Sequence, residues 1–192
     1  MNTVLHPDDQ EMSPPFADFL HQPGTYALDL EYRGRSRQSR IGAIGSLTLR
    51  RGTYIYVGSA AGSGGLAGRL GHHVRGPIRP RWHVDYLNRD CHLAGAWITL
   101  LAGPVEHRWA QQLARLDSAL LPMRGFGASD CRCCRAHLIY FANAPAKSCM
   151  RQILAAASNA AAAIYVPRPE LDQLLSSRGG VSRSGRLTGR CR

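Results

Sequence analysis

The chain has 192 residues with 44% apolar and 19% charged content, which suits one core of ordinary size and excludes a wholly disordered polymer. Its longest weakly polar run, Ala94 to Val105, has 12 residues, short of the roughly 20 that a membrane-spanning helix needs, so no span is predicted. Twenty-four basic against 13 acidic residues leave a net charge of +11, and so basic a surface points to a polyanionic partner, nucleic acid first among them.

Residues 1–22 are polar, contain prolines and read as a flexible leader. The start, Met1-Asn2-Thr3 followed by Asp8, Asp9 and Glu11, lacks the basic and apolar parts of a secretory signal, so a cytoplasmic location is expected. Residues 24–32 alternate as a strand does, with Tyr26, Leu28 and Leu30 on one face. Arg33, Arg35, Arg37 and Arg40 follow, and then Ile41 to Leu49, which predicts one short strand or a pair broken by Gly42 and Gly45. Residues 53–59 are the clearest strand. Period two sets Tyr54, Tyr56 and Gly58 on one face and Ile55 and Val57 on the other, taken as the core side.

After the glycines at 62, 64 and 65 a helix is predicted to about Val74, with Leu66, Leu70 and Val74 as its buried stripe and Arg69 and His73 as an i, i+4 pair. Gly76-Pro77 ends it. Arg81 to Arg89 reads as a short helix and Leu93 to Leu101 as a buried strand. Pro104 opens a helix predicted over 104–120, with Glu106 in the first turn, where the helix dipole favours a carboxylate. Residues 125–141 hold a cysteine cluster and close on a strand-like His-Leu-Ile-Tyr-Phe. Beyond residue 142 the texture changes to an alanine-rich segment and a Ser, Gly and Arg tail. The predicted organisation is therefore a leader over 1–22, a domain over 23–142, and a C-terminal segment over 143–192 that is disordered or helical, its alanines at 155–163 favouring helix and the whole largely disordered.

Gly24-Thr25-Tyr26 and Tyr56-Val57-Gly58 resemble the two half-motifs of the GIY-YIG nuclease superfamily, and Tyr54 to Ala60 matches the second closely. More narrowly, four segments in order are similar to an uncharacterised GIY-YIG-related family that occurs alone or fused to endonuclease III-type DNA glycosylases. They are Tyr54 to Ala60, Gly65 to Leu70, Trp82 to Leu87 and Gly125 to Cys133. The resemblance implies an α/β (α+β) fold with a small, mostly antiparallel central sheet flanked by helices. It also implies a metal-dependent endonuclease that hydrolyses phosphodiester bonds in DNA. DNA would be the partner ahead of RNA, and a glycosylase-type repair enzyme a further one.

Such hydrolysis needs an activated water, stabilised phosphoryl oxygens and help for the leaving oxygen. Carried over by motif, Glu106 would hold Mg²⁺ or Mn²⁺, as a lone carboxylate among waters can. Arg69 would grip the phosphate with its planar donor fork. Tyr26 or Tyr56 would serve as base, and His73 would orient water or relay a proton. Arg33, Arg35, Arg37, Arg40, Arg75 and His83 would meet the backbone of the nucleic acid. Two departures stand out. Thr25 replaces the usual isoleucine, and an Arg-bearing segment lengthens the gap between the tyrosines.

The six cysteines include three within four residues, Cys131, Cys133 and Cys134. Few pairings there meet disulfide geometry, so they read as thiols or ligands. Cys131, Cys133 and His137 could form part of a zinc site, completed by Cys134 or a distant group. Two rival functions stay open: a GIY-YIG-fold module that binds nucleic acid without turnover, and a zinc-stabilised adaptor.

Overall fold

The computed structural model describes residues 19–76, 78–129 and 131–176. Most of the predicted leader, Asp130 and the basic tail with Cys191 lie outside the described residues. The strands are β1 (Thr25–Tyr32), β2 (Arg37–Arg40), β3 (Ser46–Leu49), β4 (Gly52–Ser59), β5 (His92–Thr99), β6 (Leu138–Phe141) and β7 (Ile164–Pro167). The helices are α1 (Gly65–Arg75), α2 (His83–Leu87), α3 (Pro104–Ala114), α4 (Lys147–Ala157) and α5 (Arg168–Ser176). The fold is α+β. A five-stranded, wholly antiparallel sheet in the order β6-β4-β1-β5-β7 is flanked by helices.

The β1–β4 register pairs Tyr26 with Gly58, Leu28 with Tyr56 and Leu30 with Tyr54, and paired residues share a face of an antiparallel sheet. That face carries Leu66 and Leu70 of α1, Leu87 of α2 and Leu171 of α5. The opposite face, with Ala27, Ile55, Val57 and Trp97, packs on Trp109 and Leu113 of α3 and Met150 and Leu154 of α4. Ile55 and Val57 are thus in a core as expected, but Tyr54 and Tyr56 are in one too. Period two cannot tell a half-wet strand from one covered on both sides when both faces are apolar.

The inserted Arg-bearing segment forms a separate two-stranded sheet, β2 with β3, which buries Leu47 and Leu49 against the α1–α2 layer. It starts four residues earlier than predicted, because Arg37 and Ser39 are held by Asp90.

Two expectations need correction. The helix predicted over 104–120 stops at Ala114. Leu120 instead exchanges two backbone hydrogen bonds with Tyr140 of β6, at 2.9 and 2.8 Å, and ends up largely exposed. The second correction concerns 143–176, predicted to be largely disordered, with helix only as a propensity of its alanines. Lys147–Ala157 is a helix burying Met150, Leu154 and Ala157. Asn159 and Ala160 then take left-handed backbone angles, φ 55° and 63°, and reverse the chain into β7, the fifth strand of the sheet. Alanine richness masked a four-residue spacing of larger apolar residues.

Candidate active site

Tyr26 sits in the middle strand, 2% exposed, directly across from Gly58. A Cβ built on Gly58 would stand 2.5 Å from the Tyr26 hydroxyl, so the glycine is there to let the ring lie flat across β4. Neighbouring Thr25 is also buried, and its hydroxyl donates to the Leu101 carbonyl at 2.7 Å. That bond accounts for a polar residue at this place. The Tyr26 hydroxyl is 3.0 Å from His73 Nε2. His73 Nδ1 in turn lies 3.6 Å from Asp85, which is fully buried. Asp85 accepts from the backbone N–H groups of Arg81 (2.7 Å) and Trp82 (2.9 Å) and meets His72 Nε2 at 3.0 Å. The result is a buried row Asp85–His73–Tyr26, of which the sequence reading had Tyr26 and His73 but not Asp85.

Burial raises the Tyr26 phenol well above its ordinary value near 10 and the Tyr56 phenol adds to this, while Arg69 opposes and Glu106 and Asp85 reinforce. Burial lowers His73 below its usual value even though Asp85 pulls the other way, so the ring is neutral. Burial alone would raise Asp85, but hydrogen bonds from His73, from the backbone at 82 and 81 and from His72 outweigh it, and the carboxyl is held far below the usual range.

Tyr56 is 7% exposed and packs edge-on to Phe126. Gly127, at φ 70°, lets the loop pass between the Tyr56 ring and His137. Tyr54 is structural. Its hydroxyl bonds the backbone of Arg50, and burial pushes it up to about 12. Arg69, half-buried on α1, lays its guanidinium over the Trp82 ring at 3.9 Å, a cation–π contact that fixes its direction. Arg69, Arg81 and Trp82 line a hollow of about 310 Å³ with Gly62, Ser63 and Gly64, at the start of α1. Two guanidinium groups beside the first turn of an 11-residue helix make a place for an anion.

Glu106 enters from the other layer. Val105 and Trp109 of α3 anchor against Val57 and its neighbours, which swings Glu106 toward the end of β6. There its Oε1 is 3.0 Å from His137 Nδ1, and the His137 carbonyl accepts from the Val57 N–H at 2.9 Å. Burial would lower His137, but the Glu106 contact prevails and its pKa is raised.

The metal-ligand reading of the cysteines needs revision. The donors that gather are His107, Cys131, Cys134 and His137. Cys133 is exposed beside them, 3.3 Å from Cys131 Sγ. His107 lay outside the predicted ligand set, since nothing in its spacing ties it to a cluster 24 residues on. His72, His73 and Asp85 also fall close together, but the Asp85 oxygens are already taken up by hydrogen bonds.

Arg33, Arg35, Arg37, Arg40 and Arg75 are all exposed. Arg33 pairs with Glu31 at 2.6 Å, and Arg37 pairs with Asp90. His83 is half-buried. Its Nδ1 accepts from the Gly127 N–H at 3.1 Å, so it braces the loop beside Tyr56, and burial lowers its pKa.

A family model described as a domain of unknown function, DUF123, matches residues 25–159. The chain belongs to this family. No curated protein and no solved structure matches it. The DUF123 match runs from β1 through α4, so it takes in the Tyr26, Tyr56, Arg69 and Glu106 neighbourhood and passes the domain end predicted at 142. Among the described residues no helix is long and apolar enough to cross a membrane.

Proposed function

We propose that this protein is a metal-dependent endonuclease of GIY-YIG descent, acting on phosphodiester bonds in DNA. The observation that carries the reading is that α1 sets His73 3.0 Å from the Tyr26 hydroxyl and, one turn earlier, Arg69 in a hollow that suits an anion. Arg69, aimed by Trp82, holds the scissile phosphate in the hollow beside α1. Glu106, its side chain 19% exposed, has access to solvent, whereas Asp85 is sealed. A lone carboxylate that shares its second oxygen with waters suits Mg²⁺ or Mn²⁺. Such a cation supplies charge neutralisation at the phosphoryl oxygens. Tyr26, kept protonated by burial, positions rather than deprotonates, with Asp85 and His73 fixing its hydroxyl. Tyr56, nearer the surface, is the better candidate to face the attacking water. A role in DNA repair goes with this reading, supported only by the resemblance to a family that also occurs fused to DNA glycosylases.

Burial of Tyr26 favours a second reading, a fold that binds nucleic acid without turnover, because a sealed phenol serves packing as well as catalysis. Nicking of supercoiled plasmid with Mg²⁺ or Mn²⁺ separates the two. On the first reading, Glu106→Gln and Arg69→Ala each cut the rate at least 100-fold, while Tyr54→Phe stays near wild type. DNA binding with no nicking by the wild-type chain, or nicking indifferent to Glu106→Gln, overturns it.

A further inference from the structure

The segment between α3 and β6, residues 115–137, is long for a loop in so small a domain, and the Leu120 bridge is its one ladder contact among the described residues. Phe126 and Ala128 are its buried apolar anchors. Beyond them the chain turns through Cys131-x-x-Cys134-x-x-His137 and lands against the first turn of α3, where His107 waits.

We propose that His107, Cys131, Cys134 and His137 form a structural site for a thiophilic divalent cation, zinc above all, that closes this loop onto α3. Each residue offers one donor atom, and all four donors lie within 4.8 Å of one another. His107 Nδ1 is 3.4 Å from Cys131 Sγ and 3.7 Å from Cys134 Sγ. A tetrahedral zinc with ordinary Zn–S and Zn–N bonds separates such donors by about 3.3–3.8 Å. Two sulfurs and two imidazoles are the set that selects zinc over Mg²⁺ or Ca²⁺.

His137 gives an independent sign. It is 2% exposed, and neither ring nitrogen makes a hydrogen bond of acceptable geometry, although Nδ1 stands 3.0 Å from Glu106. A buried imidazole left so is costly unless a ligand completes it. The carboxylate beside it matches the partner that metal-bound histidines usually keep. Zinc would thereby fix the ring against which Glu106 rests. The site is separate from the hollow at Arg69 and stands whether or not the chain cleaves DNA.

The test is the metal content and spectrum of the full chain purified under reducing conditions. One zinc per chain is expected. Replacement by Co²⁺ should give thiolate-to-cobalt charge-transfer bands and the intense d–d bands of a tetrahedral centre. Both signals vanish in Cys131→Ser and Cys134→Ser and persist in Cys133→Ser. Should the two serine variants fail to fold, chelation of the wild-type chain decides, with a fall in thermal midpoint that added zinc restores. Absence of stoichiometric metal and of the cobalt spectrum overturns the proposal. So does a Cys131–Cys133 disulfide in the reduced preparation, or loss of the spectrum in Cys133→Ser with retention in Cys134→Ser.

Discussion

At the scale of single residues, Asp85 and His73 form the least ordinary pair. A sealed carboxylate is stable only when its oxygens are satisfied, and here two backbone N–H groups and the His72 imidazole do this, with His73 Nδ1 3.6 Å away. The pH dependence follows from the directions of their shifts. His73 is held below its usual value near 6.5 by burial. Above that pH the ring is neutral folded and unfolded alike. As pH falls below it the unfolded chain takes up a proton that the folded chain refuses, so stability drops. Asp85 is held below the usual carboxylate range, so its contribution is complete above about pH 4 and is lost as acid protonates it. His83, also held down by burial, acts in the same direction as His73. The decisive measurement is therefore a difference. In urea unfolding from about pH 8 to 3, His73→Gln should flatten the slope just below 6.5, and Asp85→Asn the slope below about 4. Slopes equal to wild type in both variants would mean that Asp85 and His73 are not buried as described.

At the scale of elements, α4 and β7 decide whether the sheet is closed. Trp109 of α3 donates its indole N–H to the Leu154 carbonyl at 3.0 Å and to Ser158 Oγ at 2.8 Å. Lys147 of α4 and Tyr165 of β7 both reach Asp29 of β1, at 2.6 and 3.1 Å. Met150 and Leu154, fully covered on the α3 side of the sheet, are each worth about 1.5–3 kcal/mol. Total stability for a domain of this size is about 5–15 kcal/mol. A chain ending at 142, the boundary that composition alone favours, should thus lack a cooperative thermal transition and aggregate through the bared edge of β5. A chain ending at 176 should melt cooperatively by circular dichroism. A sharp melt in the shorter chain would show that the fifth strand is dispensable.

For the whole molecule the net charge of +11 acts through where its arginines stand. Arg40 and Arg75 are exposed, while Arg33 is already engaged by Glu31. Each phosphate contact adds about 0.9 to the slope of log affinity against log salt. Arg40→Ala and Arg75→Ala should each lower that slope by about this amount on duplex DNA, and Arg33→Ala should change it little. Unaltered slopes in the Arg40 and Arg75 variants would move the binding face elsewhere. The hollow at Arg69 and Arg81 then becomes the first place to look.

The sequence alone determined the features that depend on local spacing. Alternation placed β1 and β4, a four-residue stripe placed α1, and Pro104 with Glu106 placed the start of α3, each within a residue or two. Motif order also named Tyr26, Tyr56, Arg69 and Glu106 as a group. Tertiary structure decided what depends on contacts between distant parts. Glu106 meets His137 and His107 meets Cys131 only because α3 and the 115–137 loop dock at the same end of the sheet. Asp85 completes His73 across the α1–α2 corner. The alanine-rich stretch orders because Trp97 and Trp109 offer it an apolar surface. Propensity and periodicity report on neighbours in the chain, while a buried charge, a metal-like cluster or a docked edge strand depends on which surfaces the completed core leaves facing one another.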